Sequence, residues 1–185
     1  NINPNQAFDM ACNDEMETIS QIYKQYEIKR KEMKALDFDD LLLEAHKLLK
    51  RCERVRTKWQ NRLDYIHVDE FQDVDPIQYD IIRLLTSKTC RLCVVGDPDQ
   101  TIYTWRGASV DIIMRFDLDF PDCKTVILDQ NYRSIQPILD ASNALIRNNQ
   151  NRIQKDLFST IAGNKTLKMQ NCIDDNDEPL FVSRQ

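Results

Sequence analysis

The chain has 185 residues, of which 42% are hydrophobic and 30% are charged, and this composition indicates an ordinary globular protein. Its formal net charge of −5 argues against a protein that simply coats nucleic acid, because non-specific affinity comes mainly from cationic side chains that neutralise phosphates. The sequence contains no uninterrupted stretch of about 18 apolar residues and no basic-apolar leader, so we expect neither a membrane span nor a secretory signal in it.

The two ends of the sequence indicate a piece of a longer protein, truncated at both ends. The chain begins at Asn1 rather than at methionine, and a new element begins only a few residues before Gln185. Six cysteines are spread thinly through a chain with much regular pattern, which favours reduced thiols and a cytoplasmic protein. Cys90 and Cys93 have metal-type spacing, but one such pair supplies too few ligands for a zinc site.

Two helices are predicted in the first part of the chain. Apolar and aromatic residues at a spacing of three and four predict a helix over 15–34. A second helix is predicted over 38–50, because Asp37 is a suitable N-cap and further acids lie in the first turn.

A βαβ unit is predicted next. Two short apolar runs, 63–68 and 92–95, bracket a helix that begins at Asp75-Pro76, an N-cap followed by proline at the first helical position. The crossover lays such strands parallel, with their carboxyl ends on the same edge of the sheet. We therefore expect the polar residues that follow the two runs to converge at one crevice. They are Asp69, Glu70, Asp97 and Gln100.

The same pattern is predicted once more further along the chain. A strand is predicted over 124–128, and Ser134 is expected to cap the helix that follows. Because ligands bind at the carboxyl ends of the strands in an open parallel sheet, a third polar cluster at that edge is what a site requires. The segment after Asn148 is predicted to be a connector, and 168–173 to open another strand.

Asp69 and Glu70 suit a phosphoryl-transfer site. The first acid can hold magnesium, usually through water, and the second can orient or deprotonate an attacking water. Acids after strands are also common helix caps, but Asp73 or Asp75 already fills that role here. The pair gains weight from the other polar runs.

The second polar run combines an amide with aromatic rings and a cation. The amide of Gln100 can sense a γ-phosphate or the attacking water, and Tyr103, Trp105 and Arg106 follow it closely. Rings interleaved with a cation suit stacking on single-stranded nucleic acid, worth about 1–3 kcal/mol per base. Packing of the same rings into a core explains this loop equally well when it is considered alone.

The third polar run is Tyr132-Arg133. The ring can stack on a nucleobase while the guanidinium reaches a phosphate, as an arginine finger in cis. The alternative is a Tyr-Arg pair at the start of a surface helix that Ser134 caps. Three such clusters at one sheet edge favour the functional interpretation.

The three runs resemble motifs II, III and IV of the UvrD/Rep/PcrA helicases, which are superfamily-one DNA motors. The runs are Asp69-Glu-Phe-Gln-Asp, Gly96-Asp-Pro-Asp-Gln-Thr-Ile-Tyr-Thr-Trp-Arg-Gly-Ala and Gln130-Asn-Tyr-Arg-Ser. Leu36-Asp-Phe-Asp-Asp-Leu-Leu also resembles a family motif. The four runs lie in the expected order within residues 36–134, and strings of this length are highly specific.

The resemblance implies ATP and Mg²⁺ as cofactors and assigns residues to the nucleotide. Asp69 would coordinate magnesium, and Glu70 would act as the catalytic base. Tyr132 would stack on adenine, and Arg133 would bind the γ-phosphate.

The resemblance also implies contacts with DNA. Gln100 and Arg106 would link the γ-phosphate to the DNA site. Tyr103 and Trp105 would contact single-stranded DNA. The parent protein would be an ATP-dependent DNA helicase that translocates on single strands and unwinds duplex junctions, in DNA repair or replication.

The implied fold is α/β, with part of a RecA-like (P-loop NTPase) parallel sheet flanked by helices. Residues 1–35 would be the helical tail of an inserted subdomain, and 36–160 the C-terminal part of the first RecA-like motor domain. Residues 161–185 would be a linker and the start of the second RecA-like domain.

One departure from the family pattern is large. The only glycines are Gly96, Gly107 and Gly163, and a G-x-x-x-x-G-K-[ST] phosphate loop cannot be built from them. We therefore predict that the isolated 185-residue piece does not hydrolyse ATP.

Two alternatives stay open at this point. One is the motor part of a RecB- or AddA-like helicase-nuclease. The other is a non-catalytic module that holds DNA or a partner through the basic stretch 47–62, where seven cations and Trp59 accompany a single acid, Glu53. A solvated helix face explains this stretch more simply.

Overall fold

The structure is a computed structural model that describes residues 2–150, 152–163 and 167–184. The chain divides into two compact units, each made of two stretches of sequence. The first unit is Asn1–Gly96 with Ile102–Ser109, and the second is Asp97–Thr101 with Val110–Gln185. Together they form an α/β protein with a small parallel sheet in the first unit.

Within the described residues, the first unit contains five α-helices and two strands, and the second contains four α-helices. The first unit has α1 Pro4–Asp9, α2 Asp14–Glu32, α3 Phe38–Arg51, α4 Glu53–Gln60, β1 Tyr65–Val68, α5 Pro76–Leu85 and β2 Arg91–Val94. The second has α6 Val110–Met114, α7 Phe116–Asp119, α8 Gln136–Ile146 and α9 Asp177–Ser183. None of the described helices is long and apolar enough to cross a membrane.

The predicted helices α2 and α3 are confirmed, and local signals explain both. Asn13 accepts a hydrogen bond from the backbone N–H of Met16 at the start of α2. At the start of α3, Asp37 and Asp40 form a reciprocal capping box. Arg30 of α2 donates to the Asp40 carboxylate, so the two helices are also joined by a charged hydrogen bond.

The predicted βαβ unit is also confirmed. Strands β1 and β2 pair in parallel, with Tyr65 opposite Arg91 and Val68 opposite Val94. Helix α5 connects them, and Asp75 caps it by accepting from the N–H groups of Ile77 and Gln78. The carboxyl ends of both strands therefore lie on the same edge, as the sequence predicts.

The core of the first unit lies around the turn after β1. The ring of Phe71 is fully buried and meets Tyr79 of α5 edge to face, with 6.0 Å between ring centroids. Leu49 of α3 and Val74 are buried as well, and α3 packs against α5. Burial of these side chains fixes the backbone that follows β1.

The predicted strand over 124–128 is wrong, because this segment is irregular. A strand needs a neighbour that pairs with its backbone. In the described part of the second unit, this region forms only an isolated parallel bridge between Gln130 and Phe158. The side chains of Val126 and Leu128 are accordingly exposed.

Two further predictions in the second unit are wrong. Helix α8 begins at Gln136 after Ile135, and Ser134 does not cap it. Instead, the Asn131 side chain accepts from the N–H groups of Arg133 and Ser134 and closes a turn before the helix. Residues 168–173 form no strand, and the next regular element is α9.

The core of the second unit is built around α8. Leu139 of α8 and Ile112 of α6 are buried. Asn143 of α8 is buried as well, and its amide exchanges two hydrogen bonds of 2.8 and 3.0 Å with the backbone of Leu157. The segment predicted as a connector is thereby fixed to α8.

Candidate functional site

The predicted site residues are divided between the two units. Asp69, Glu70, Tyr103, Trp105 and Arg106 belong to the first unit, and Gln100, Tyr132 and Arg133 belong to the second. Within the first unit, the acids form one turn and the aromatic residues form one loop. The convergence of all three polar runs at one crevice stays a prediction.

Asp69 and Glu70 form an exposed turn at the carboxyl end of β1. Glu70 has a left-handed backbone conformation, with φ 49° and ψ 43°. A glutamate rarely adopts this conformation, and such strain collects at functional sites. The N–H of Glu70 donates to Asp69 Oδ1 at 2.9 Å, which holds the two acids together.

Buried neighbours hold this turn in place. The N–H of Phe71 donates to the carbonyl of Val95, which follows β2, at 2.9 Å. The Gln72 side chain is buried, and its Nε2 donates to Glu70 Oε2 at 2.8 Å. One carboxylate is thus aimed by a buried amide while its residue stays exposed, an orienting contact that the sequence analysis missed. Gln72 belongs to the run Asp69-Glu-Phe-Gln-Asp, but that run does not indicate that its side chain is buried beneath Glu70.

Tyr103, Trp105 and Arg106 form an exposed aromatic loop, and the alternative of core packing is wrong. Trp105 is 78% exposed, and its ring centroid lies 6.3 Å from that of Tyr103. The Arg106 guanidinium lies 5.7 Å from both ring centroids. A large exposed ring beside a cation offers a stacking platform with a positive charge.

Gly107 and Ala108 anchor the aromatic loop. Gly107 ends the short 3₁₀ helix Thr104–Arg106 with φ at +94°, where a side chain is disfavoured. Ala108 is buried, and its N–H donates to the carbonyl of Tyr103 at 3.2 Å. The rings therefore project from a loop with a fixed base.

Gln100 is exposed at the end of a short turn of the second unit, in which Pro98 is buried. Its Nε2 donates to Asp97 Oδ2 at 2.8 Å, and its backbone N–H donates to the carbonyl of Asp97 at 2.9 Å. Burial raises the pKa of Asp97, but hydrogen bonds from Lys155 and Gln100 lower it by more, so the pKa lies below its ordinary value. Lys155 and its neighbour Arg152 are further residues that the sequence analysis missed.

Tyr132 and Arg133 are exposed on the turn before α8. Tyr132 is 76% exposed, and its hydroxyl donates to the side chain of Gln130 at 2.8 Å. The backbone of Arg133 is held by Asn131, whose side chain accepts its N–H at 2.8 Å. The ring and the guanidinium are thus presented from a turn that an unpredicted asparagine closes.

The basic stretch 47–62 forms the end of α3, all of α4 and the turn after it. Several of its cations have partners within the unit. Lys47 pairs with Glu44 at 2.6 Å, Arg56 donates to the carbonyl of Leu49 at 2.9 Å, and Arg62 lies 5.6 Å from the ring centroid of Trp59. These contacts support the interpretation of a solvated helix face.

In the part of the chain that the structure describes, no group of three or more His, Cys, Asp or Glu side chains is arranged to hold a metal ion. Asp69 and Glu70 are two exposed carboxylates in sequence. They can serve an ion whose other ligands come from water or from a phosphate-bearing ligand.

The sequence is similar to known proteins over nearly its whole length. The family described as UvrD/REP helicase N-terminal domain matches residues 1–121. A protein of Mycoplasma capricolum named as a probable DNA helicase II homolog is 39% identical over 182 residues, which cover 98% of this chain and 25% of the relative.

Two staphylococcal relatives carry the name ATP-dependent DNA helicase PcrA. The protein of Staphylococcus aureus is 41% identical over 167 residues, which cover 90% of this chain and 23% of the relative. The protein of Staphylococcus epidermidis is 40% identical over the same length and covers the same shares. The chain thus spans about a quarter of the length of these curated relatives.

Proposed function

We propose a function from the premise that this chain belongs to the UvrD/REP helicase family, which the match over residues 1–121 establishes. The proposed function is that of an ATP-dependent DNA helicase, which couples ATP hydrolysis to translocation on single-stranded DNA and to unwinding at duplex junctions. The activity would belong to a longer protein that contains this chain, since the relatives are about four times as long. The observation that carries the proposal is the exposed Asp69-Glu70 turn at the end of β1, with Glu70 in a left-handed backbone conformation.

Asp69 would hold magnesium and Glu70 would be the general base. An exposed carboxylate at a strand end fits magnesium, which keeps several waters and binds through one or two carboxylates plus substrate phosphates. Bound together with ATP, the ion would neutralise charge on the phosphates. The Glu70 carboxylate, aimed by Gln72, would accept a proton from the attacking water.

Three residues of the second unit would act on the nucleotide. Gln100 would contact the γ-phosphate or the attacking water through its amide. The exposed ring of Tyr132 would stack on adenine, and Arg133 would bind the γ-phosphate. The exposure of all three side chains supports these roles, because a residue packed into a core cannot reach a ligand.

The aromatic loop would bind single-stranded DNA. Tyr103 and Trp105 offer exposed rings for base stacking, and Arg106 lies against both. Arg106 would also link this loop to the nucleotide together with Gln100. Stacking tolerates any base, which suits a motor that moves along DNA of any sequence.

The proposed architecture is a RecA-like motor. The parallel β1-α5-β2 unit, with acids after β1, supports assignment of residues 36–160 to the later part of a first RecA-like domain. Residues 1–35 would be the tail of an inserted helical subdomain, and 161–185 a linker with the start of a second motor domain. The phosphate loop would be supplied by another part of the longer protein.

The test is DNA-stimulated ATP hydrolysis by the full-length protein that contains this chain. Glu70→Gln should lower kcat by about 10²–10⁴-fold, because it removes the general base. Glu53→Gln, at an exposed glutamate in the first turn of α4, is the matched control and should leave kcat unchanged. Unaltered hydrolysis by Glu70→Gln would refute the assigned chemistry.

A second measurement concerns the 185-residue chain alone. We expect no magnesium-dependent ATP hydrolysis from it, because it lacks the residues of a phosphate loop. Turnover by the purified chain that Glu70→Gln abolishes would contradict this expectation.

A further inference from the structure

Two cations outside all of the polar runs meet the loop that carries Gln100. Arg152 and Lys155 lie after α8, and both side chains are largely enclosed. Arg152 Nε lies 3.2 Å from each oxygen of the Asp99 carboxylate, and Arg152 Nη2 donates to Asp99 Oδ2 at 2.9 Å. The guanidinium thus grips both oxygens of one carboxylate.

Lys155 connects this grip to Gln100. Its Nζ donates to Asp97 Oδ1 and lies 3.8 Å from Asp99 Oδ2. The other oxygen of Asp97 accepts from Gln100 Nε2 at 2.8 Å. The Asp97 carboxylate therefore joins Lys155 to the Gln100 amide.

Backbone contacts make these pairs one network. Arg152 Nη2 donates to the carbonyl of Lys155 at 3.2 Å, so each cation helps to place the other. On the loop, the N–H of Asp99 donates to Asp97 Oδ1 at 3.1 Å. The two carboxylates and the two cations thus constrain a turn of only a few residues, at whose end Gln100 is exposed.

Stability alone does not explain this arrangement. Enclosed ion pairs contribute little net stability compared with apolar side chains of the same size, because removal of the charges from water is costly. Two such pairs around one short turn instead fix its geometry, since each charged hydrogen bond has a narrow range of distance and angle. The geometry of this turn determines where the exposed side chain of Gln100 lies.

We propose that Lys155 and Arg152 are positioning residues for Gln100, which hold its loop through Asp97 and Asp99. What Gln100 does when positioned rests on the function proposed above. The contacts that fix the Gln100 loop lie within the second unit. The two parts can therefore be tested separately.

The first experiment measures loop order in the 185-residue chain by hydrogen exchange at the backbone amides of Asp99 and Gln100. Lys155→Met should speed exchange at both amides about tenfold or more, because the loop opens more often. Arg147→Met is the matched control, since Arg147 pairs with Asp156 at 2.9 Å on the surface of the same unit. Equal exchange in Lys155→Met and the unaltered chain would overturn the proposal.

The second experiment is a double-mutant cycle on DNA-stimulated ATP hydrolysis by the full-length protein. Lys155→Met should lower kcat about tenfold or more, with a much smaller change in KM for ATP. In a Gln100→Ala background, the same substitution should have almost no further effect on kcat. An equal loss of kcat in both backgrounds would show that Lys155 does not act through Gln100.

A conservative variant separates position from stability. Lys155→Arg keeps the charge and should retain most of kcat, whereas Lys155→Met should not. If Glu70→Gln and Gln100→Ala both leave hydrolysis unaltered, the proposed function fails, and hydrogen exchange still decides whether Lys155 orders the loop.

Discussion

The exposed residues of the first unit and the Gln100 loop of the second unit use polar groups in opposite ways. The Asp69-Glu70 turn and the aromatic loop keep their functional ends at the surface and are fixed from below by Phe71, Gln72 and Ala108. The Gln100 loop is fixed by its own charges, which are paired with cations from a distant segment. Surface polar groups of the first unit are therefore available to ligands. Most polar groups around Gln100 already form ion pairs or hydrogen bonds with one another.

The largest expected effect on the free energy of unfolding comes from removal of a cation that holds the Gln100 loop. The side chains of Arg152 and Asp99 are only 6% and 8% exposed. Arg152→Met should lower the free energy of unfolding of the chain by about 3–5 kcal/mol, because it leaves Asp99 charged, enclosed and without its main partner. Urea denaturation followed by circular dichroism measures the change.

The control for this prediction is a surface ion pair of the same unit. Arg147 and Asp156 are 61% and 60% exposed, so Arg147→Met should change the free energy of unfolding by less than about 0.5 kcal/mol. Removal of both charges, in Arg152→Met with Asp99→Leu, should recover much of the loss. Equal effects of the two arginine substitutions would show that the enclosed ion pair supports the Gln100 loop no more than a surface pair does.

The next largest effect is expected on DNA binding by the aromatic loop of the first unit. Trp105→Ala should weaken binding of single-stranded DNA by the full-length protein by about 1–3 kcal/mol, from the loss of one stacked base. The free energy of unfolding of the chain should stay within about 0.5 kcal/mol, because the ring is exposed. Fluorescence anisotropy with a labelled oligonucleotide measures the affinity.

Trp59→Ala is the control, since Trp59 is the other tryptophan of the chain and lies in the basic stretch. It should leave DNA affinity unchanged. A loss for Trp59→Ala with none for Trp105→Ala would transfer DNA binding to the basic stretch 47–62 and favour the non-catalytic binding module.

A smaller effect is expected at the base of the aromatic loop. Gly107→Ala should lower the free energy of unfolding by about 1–2 kcal/mol, because alanine at a left-handed φ is strained. Gly96 has no positive φ, so Gly96→Ala should lack this penalty. Thermal unfolding of both variants measures the difference, and equal midpoints would show that the loop adapts.

The smallest effect is a pH dependence of the Gln100 loop. The folded-state pKa of Asp97 lies below its ordinary value, so its contribution to stability is present above the unfolded pKa of about 3.9 and is lost as pH falls through the folded pKa. The difference in unfolding midpoint between the unaltered chain and Asp97→Asn should therefore shrink as the pH is lowered from 7 towards 3. A difference that does not change with pH would mean that the Asp97 charge contributes nothing.

Elements with local signals are predictable from this sequence. Asp75-Pro76 caps α5, and Asp37 caps α3, because an N-cap acts on backbone groups two or three residues away. No such local signal exists for the predicted strand over 124–128. A strand forms only where another segment pairs with its backbone, and the sequence of 124–128 does not specify that partner. The error at Ser134 has a different, local cause, since the Asn131 side chain accepts the Ser134 N–H and closes a turn, and α8 begins only at Gln136.

In the candidate site, too, residues within local motifs are predictable from the sequence, whereas their distant partners are not. The sequence predicts Asp69 and Glu70 at the carboxyl end of a strand, and they form the turn after β1. For Trp105 the sequence leaves exposure and core packing open, and the structure has the ring exposed. The partners of the Gln100 loop escaped detection because Arg152 lies 53 residues from Asp99 and Lys155 lies 58 residues from Asp97 along the chain. Periodicity and caps carry no information about contacts at such separations.

At position 70, the residue types that best suit the left-handed backbone differ from the residue type that the proposed chemistry needs. Glycine or asparagine adopts this conformation readily, whereas a glutamate there costs roughly 1 kcal/mol. A sequence that drifted under selection for stability alone would tend to replace Glu70. If Glu70 is the general base proposed above, its carboxylate would be the reason that it stands in so strained a place, and rescue of a destabilised variant should be sought elsewhere in the chain.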